Sequence, residues 1–130
     1  MKILLIEDDL DDIELLQEAL TSKNVKYELT TIYDGSVAIK YIRDCRDCPD
    51  IIVLDFNLPK VHGREVMLAL KAAAALKEIP LLILTTSSAK EDIEYAYKHG
   101  ADKYLIKPVN MAQINEMAQT VINLARKIKV

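Results

Sequence analysis

The chain has 130 residues, 51% of them hydrophobic, and this length fits one compact domain over residues 1–130. The formal net charge of −3 argues against a nucleic-acid-binding surface, because such surfaces carry a basic surplus. The longest apolar runs are far shorter than the roughly 20 residues that cross a bilayer, and the sequence shows no secretion signal. We therefore expect a cytoplasmic protein with no membrane segment and no output domain.

Five short apolar segments predict β-strands. In chain order they are Lys2–Ile6, Lys26–Thr31, Asp50–Leu54, Leu81–Leu84 and Lys103–Ile106. The first, third and fourth are almost entirely apolar, which is typical of strands covered on both faces in a parallel sheet. The second alternates between polar and apolar residues, as an edge strand does.

Five amphipathic patterns alternate with these strands and predict helices. Their apolar positions run from Leu10 to Leu20, from Val37 to Ile42, from Val66 to Ala74, from Ile93 to Tyr97 and from Met111 to Ile128. Gly100 is expected to end the fourth helix as a C-terminal cap. Strict alternation predicts an α/β fold with a doubly wound, five-stranded parallel sheet. We expect the flavodoxin-like strand order 2-1-3-4-5, with the second and fifth strands at the edges.

Polar side chains follow the strands at the points where they end. The residues at these positions are Glu7, Asp8 and Asp9, then Asp55, then Thr85, and finally Lys107 followed by Pro108. In doubly wound sheets the working site lies beyond the carboxyl ends of the strands, here between the first and third. The sequence therefore predicts that several carboxylates, a hydroxyl and an amine converge at one edge of the sheet.

Carboxylates held this close repel one another, and a hard divalent cation cancels the repulsion. Mg²⁺ prefers oxygen ligands and typically binds one or two carboxylates together with water and phosphate oxygens. With a cation and Lys107 beside it, Asp55 is suited to attack phosphorus and form an aspartyl phosphate. The remaining acids nearby, Asp9, Asp11 and Asp12, are expected to stabilise the N-terminus of the first helix.

Four motifs carry a family resemblance: "LLIEDD", "LDFNLPKVHG", "PLLILTTSS" and "YLIKP". In this order and at these spacings, the chain resembles the receiver domain of two-component response regulators over essentially its whole length. The "LPKxxGREV" and "LTTS" patterns resemble single-domain receivers, some of which partner phytochrome-type histidine kinases. The resemblance implies a protein that accepts a phosphoryl group from a histidine kinase or a histidine phosphotransfer protein.

The resemblance also implies roles for individual residues. Asp55 is the expected phosphoacceptor, and Thr85 and Lys107 are expected to bind the transferred group. The expected ligands of Mg²⁺, or of Mn²⁺ in its place, are Glu7, Asp8, Asp55 and the backbone carbonyl of Asn57. The protein is not expected to be an enzyme beyond self-catalysed phosphotransfer and autodephosphorylation.

Further roles implied by the resemblance concern switching. Thr85 and Tyr104 are the expected switch pair, with Tyr104 moving inward after phosphorylation. The face formed by the fourth helix, fifth strand and fifth helix would carry the readout to a downstream protein, and a homodimer through this face is plausible. Asn57 and Ser87 are expected to tune the phosphate lifetime, and the Lys107–Pro108 peptide bond is expected to be cis.

Other functions stay open at this stage. The chain could be a phosphorelay intermediate or a degenerate receiver that acts only as a docking module. A flavodoxin-type FMN carrier is disfavoured because "EDDLDD" would repel a phosphate. A haloacid-dehalogenase-type phosphatase typically has a second acid where this chain has Asn57. Cys45 and Cys48 form a C-x-x-C without a matching second pair, so we interpret them as reduced thiols at a helix end.

Overall fold

A computed structural model describes residues 1–45 and 47–127. The sheet contains five parallel strands in the order β2-β1-β3-β4-β5, which confirms the predicted topology. The strands are β1 (Lys2–Ile6), β2 (Glu28–Ile32), β3 (Ile51–Leu54), β4 (Leu81–Thr85) and β5 (Lys103–Ile106).

Helices follow all five strands. They are α1 (Leu10–Ser22), α2 (Gly35–Asp44), α3 (Gly63–Ala72), α4 (Lys90–Lys98) and α5 (Met111–Ala125). The side chain of Asp9 caps α1 by accepting the backbone N–H groups of Asp11 and Asp12. At the end of α4, Gly100 has a φ of 101°, as predicted for a C-terminal cap. Ile128, the last apolar position predicted for the fifth helix, lies outside the described residues.

Several element boundaries differ from the prediction. By one residue each, β2 ends at Ile32 rather than Thr31, β3 begins at Ile51 rather than Asp50, and β4 ends at Thr85 rather than Leu84. β2 begins at Glu28 rather than Lys26, because Glu28 pairs with Lys2, the first residue of the neighbouring strand β1. α3 ends at Ala72, so Ala74 is not helical. After this helix the chain turns and buries Leu76, which is 1% exposed, and this tertiary contact overrides the high helix propensity of alanine.

The core consists of two apolar layers, one on each face of the sheet. Successive residues of β1 alternate between them: Leu4 and Ile6 face α2, α3 and α4, whereas Ile3 and Leu5 face α1 and α5. This burial on both faces explains why the central strands are apolar without interruption. Within the described ranges, no helix is both long and apolar enough to cross a membrane.

The loop after β3 is held tightly against the start of α3. A Cβ atom added to Gly63 would lie 2.4 Å from Phe56 Cα and 2.6 Å from the Asp55 carbonyl oxygen. Only glycine allows this approach, and its N–H donates to the Phe56 carbonyl at 3.0 Å. His62 caps α3 through Nδ1, which accepts the backbone N–H of Arg64 at 3.0 Å. The fold therefore fixes the backbone directly after Asp55.

Candidate functional site

Acidic residues from two neighbouring strands meet at the carboxyl edge of the sheet. β1 and β3 pair side by side, with Ile6 opposite Leu54, so the next residues, Glu7 and Asp55, also lie next to each other. One carboxylate oxygen from each of Glu7, Asp8 and Asp55 lies within 4.8 Å of the others. Glu7 and Asp55 are buried, whereas Asp8 is exposed to solvent. The predicted convergence of these three acids is present in the structure.

This donor set fits a hard divalent cation. All three side chains offer carboxylate oxygens, which suit Mg²⁺ or Mn²⁺ better than metals that prefer sulfur or nitrogen. Burial raises the pKa of Glu7 to about 7, although its contact with Lys107 opposes the shift. A bound cation would favour the ionised form of this side chain. The Asn57 carbonyl stays a predicted ligand.

Lys107 reaches into the acidic group from the end of β5. Its Nζ lies 2.7 Å from Glu7 Oε1, 2.9 Å from Asp55 Oδ2 and 2.6 Å from Asp12 Oδ2. Burial alone would lower the pKa of Lys107, but the hydrogen bonds to the three carboxylates raise it above its ordinary value. Among these hydrogen bonds, the one to Asp12 has the largest effect. The lysine therefore stays protonated and can neutralise anionic oxygens at this edge.

Asp55 is kept ionised despite its burial. Burial by itself would raise the pKa of Asp55, but hydrogen bonds from the Asn57 backbone, Lys107 and the Thr85 hydroxyl outweigh it and lower the pKa below its usual value. The Asn57 N–H donates to Asp55 Oδ1 at 3.0 Å. Thr85 is fully buried at the end of β4. An ionised carboxylate can act as a nucleophile, so these three neighbours maintain the reactive form of Asp55.

Asn57 and Ser87, the residues predicted to tune the phosphate lifetime, make different contacts near Asp55. Asn57 is exposed, and its Nδ2 donates to Thr86 Oγ1 at 3.1 Å and to Thr85 Oγ1 at 3.4 Å. The Ser87 hydroxyl donates instead to Asp92 Oδ2 at the start of α4. Asn57 is therefore directed towards the neighbouring hydroxyls, whereas Ser87 contacts α4.

Tyr104, the predicted partner of Thr85, occupies an inward position. Its side chain is 8% exposed, and its ring meets the edge of Phe56 with centroids 6.1 Å apart. The Tyr104 hydroxyl donates to the Ser87 carbonyl at 2.7 Å. The aromatic ring thus connects β5 with the loop that follows Thr85.

The prediction of a cis peptide bond between Lys107 and Pro108 is wrong, because this bond is trans in the structure. A trans bond is the ordinary preference before proline, by about 0.5–1 kcal/mol. Lys107 makes its three ion pairs with the trans bond in place, so these contacts do not require a cis bond.

Asp12 is a site residue that the sequence interpretation missed. We expected it to stabilise the start of α1, but Asp9 caps that helix and the Asp12 carboxylate pairs with Lys107 instead. One signal could have identified it. Asp12 lies four residues before the buried Leu16, so it falls on the core-facing side of α1.

The topology and the acidic edge define a flavodoxin-like α/β protein with a site at its switch point. Residues 3–119 match the family model of the response regulator receiver domain. The chain therefore belongs to this family, and its predicted membership is confirmed.

Two of its relatives are response regulators, and the match covers most of each. Response regulator Rcp1 from Synechocystis sp. is 36% identical over 124 residues, which cover 92% of this chain and 84% of Rcp1. The Mn²⁺-bound crystal structure of Rcp1 is similar with a TM-score of 0.86 and 32% identity, covering 99% of this chain and 97% of that one. The phosphorylated cyanobacterial phytochrome response regulator RcpA has a TM-score of 0.83 and 38% identity, covering 94% of this chain and 91% of that one.

Proposed function

We propose that this receiver accepts a phosphoryl group on Asp55 from a histidine kinase or a histidine phosphotransfer protein, in a reaction that needs Mg²⁺. The observation that carries the proposal is the group of Glu7, Asp8 and Asp55 carboxylates within 4.8 Å, with Lys107 bonded to the two buried ones. The similarity to RcpA favours a phytochrome-type kinase as the partner. Transfer would take place in the cytoplasm.

Different residues have different roles in the phosphoryl transfer. Asp55 supplies the attacking oxygen, and Lys107 and the Thr85 hydroxyl receive the oxygens of the transferred group. Glu7 and Asp8 would hold the cation with Asp55, and the cation would offset negative charge on the phosphoryl oxygens. The protein is thus a phosphoacceptor rather than an enzyme that turns over an external substrate.

We propose further that phosphorylation acts through Thr85 and Tyr104. A phosphoryl group adds about −1.5 to −2 charge, which would draw the Thr85 hydroxyl towards Asp55 and favour the inward Tyr104. The readout surface is the α4-β5-α5 face, where Tyr97 and Ile106 are 47% and 46% exposed. A downstream protein or a second copy of the chain would bind there.

The test is labelling with acetyl phosphate and Mg²⁺, followed by intact-mass measurement. The wild-type chain is expected to gain one phosphoryl group, Asp55→Asn none, and the wild type none in excess chelator. Asp9→Asn is the matched control, because it removes an exposed carboxylate of the same loop while asparagine can still cap α1. Undiminished labelling of Asp55→Asn would show that another residue is the phosphoacceptor.

A further inference from the structure

The contact between Asp12 and Lys107 joins the first turn of α1 to the end of β5. The two residues are 95 positions apart, and Lys107 Nζ donates to Asp12 Oδ2 at 2.6 Å. The Lys107 side chain is 12% exposed and that of Asp12 is 30% exposed, so solvent screens this ion pair only in part. Because Asp9 caps α1, the carboxylate of Asp12 is not needed for capping.

Asp12 differs from the other two acids that bind Lys107. Glu7 and Asp55 belong to the acidic group that fits a divalent cation, whereas Asp12 is outside the one such group found among the described residues. During phosphorylation, oxygens of Glu7 and Asp55 are needed for the cation and the phosphoryl group. Asp12 is then the one carboxylate of the three that stays available to the lysine.

We propose that Asp12 is a positioning residue that holds the Lys107 ammonium beside Asp55 during phosphoryl transfer. This inference rests on the proposed function. In the reaction with acetyl phosphate, an Asp55 oxygen bonds to phosphorus while the bond to the bridging oxygen breaks. Acetate leaves with that electron pair, and no proton moves. A lysine that is already held in place needs less ordering as charge develops on the transferred oxygens.

The first test compares phosphorylation rates at saturating Mg²⁺ for Asp12→Asn and Asp11→Asn. Asp11 is the matched control because it is the neighbouring acid in the same turn, is exposed, and loses the same charge when changed to asparagine. We expect Asp12→Asn to slow labelling about tenfold, which corresponds to about 1.4 kcal/mol. Asp11→Asn should change the rate by about twofold at most. Equal rates for the two variants would overturn the inference.

The second test separates positioning of Lys107 from a general charge effect. In a Lys107→Met background, adding Asp12→Asn should have little further effect on the labelling rate. Urea unfolding in chelator tests the contact without any phosphoryl transfer. It compares the wild type, Asp12→Asn, Lys107→Met and the double variant, and the effects of the two substitutions on the midpoint urea concentration should be non-additive. These curves also show whether each variant folds.

The outcomes distinguish the two proposals. A wild type that fails to label contradicts the proposed function, whereas a labelled wild type with additive effects of Asp12→Asn and Lys107→Met contradicts the role of Asp12. If the wild type does not label, additivity in unfolding alone still overturns the Asp12–Lys107 coupling.

Discussion

Glu7 shows how much this site depends on a buried charge. The carboxylate is 2% exposed, and burial raises its pKa to about 7 even though Lys107 lies 2.7 Å away. The N–H groups of Asp8 and Asp9 donate to Glu7 Oε2 at 3.0 and 3.2 Å and favour the ionised form only in part. Without a cation, the folded protein therefore binds a proton at Glu7 more tightly than the unfolded chain does.

We predict that Glu7→Gln stabilises the metal-free protein at pH 8. Because the pKa of Glu7 is raised in the folded state, Glu7 does not lower the free energy of unfolding below about pH 4.5. It lowers this free energy increasingly as the pH rises through about 7. The free energy of unfolding should increase by on the order of 1 to 3 kcal/mol at pH 8, and the gain should disappear near pH 4. Urea unfolding in chelator measures both values.

Glu14→Gln is the control for this prediction, because Glu14 is exposed on α1. Added Mg²⁺ should stabilise the wild type and have a smaller effect on Glu7→Gln, since the variant lacks one ligand. A metal-free variant that is less stable than the wild type at pH 8 would contradict this account of Glu7.

At the scale of elements, α3 and α4 are joined through Asp92 at the start of α4. Asp92 forms an ion pair with Arg64 of α3 and accepts a hydrogen bond from the Ser87 hydroxyl. Arg64 also lies over the Tyr95 ring, 4.6 Å from its centroid. Since the Ser87 carbonyl accepts the Tyr104 hydroxyl, this network connects Tyr104 with α3 and α4.

Asp92→Asn is expected to lower the free energy of unfolding by about 1 kcal/mol, a modest value because the Arg64 side chain is 35% exposed. The hydrogen bond from Ser87, followed by Arg64, lowers the pKa of Asp92. The stabilisation is therefore complete above about pH 4 and is lost as the pH falls through the lowered pKa. Urea unfolding between pH 3 and 7 measures this difference.

The matched control for Asp92 is Glu91→Gln, which changes an exposed acid on the same turn of α4. Amide hydrogen exchange at residues 86–89 should become faster in Asp92→Asn and stay unchanged in the control, because it is Asp92 that accepts the Ser87 hydroxyl. Equal exchange in the two variants would show that the network does not order this loop.

For the whole molecule, the α4-β5-α5 face is the proposed surface for a second copy of the chain. Ile106 follows Tyr104 by two residues on β5, so both point to the same face of the sheet, but Ile106 is 46% exposed at its edge. Ile106 on β5 and Tyr97 on α4 are both exposed large hydrophobic residues, which are suited to burial in an interface.

We expect phosphorylation with acetyl phosphate to shift the wild type from monomer to dimer in sedimentation velocity measurements. Ile106→Glu should remain monomeric, because a charge buried at an interface without a partner is costly. Val37→Glu is the control: Val37 is 51% exposed on α2, away from this face, and its variant should dimerise like the wild type. Labelling rates confirm that the site is intact. A dimer of Ile106→Glu would exclude this surface as the interface.

The sequence determined the parallel sheet, its strand order and the acids at its edge. Uninterrupted apolar strands can be buried only between two layers of helices, and residues after neighbouring parallel strands must meet at one edge. Glu7, Asp8 and Asp55 could therefore be brought together from their positions in the chain alone. Thr85 and Lys107 could be placed at the same edge for the same reason.

The acids that Lys107 binds and the residue at which α3 ends depend on the tertiary structure. Asp12 looks like a helix-start acid in the sequence, and its pairing with Lys107 depends on how closely the first turn of α1 approaches the residue that follows β5. The early end of α3 likewise depends on a tertiary contact, the burial of Leu76. Periodicity determines which face a residue occupies, whereas contacts between residues far apart in sequence depend on packing distances that periodicity does not contain.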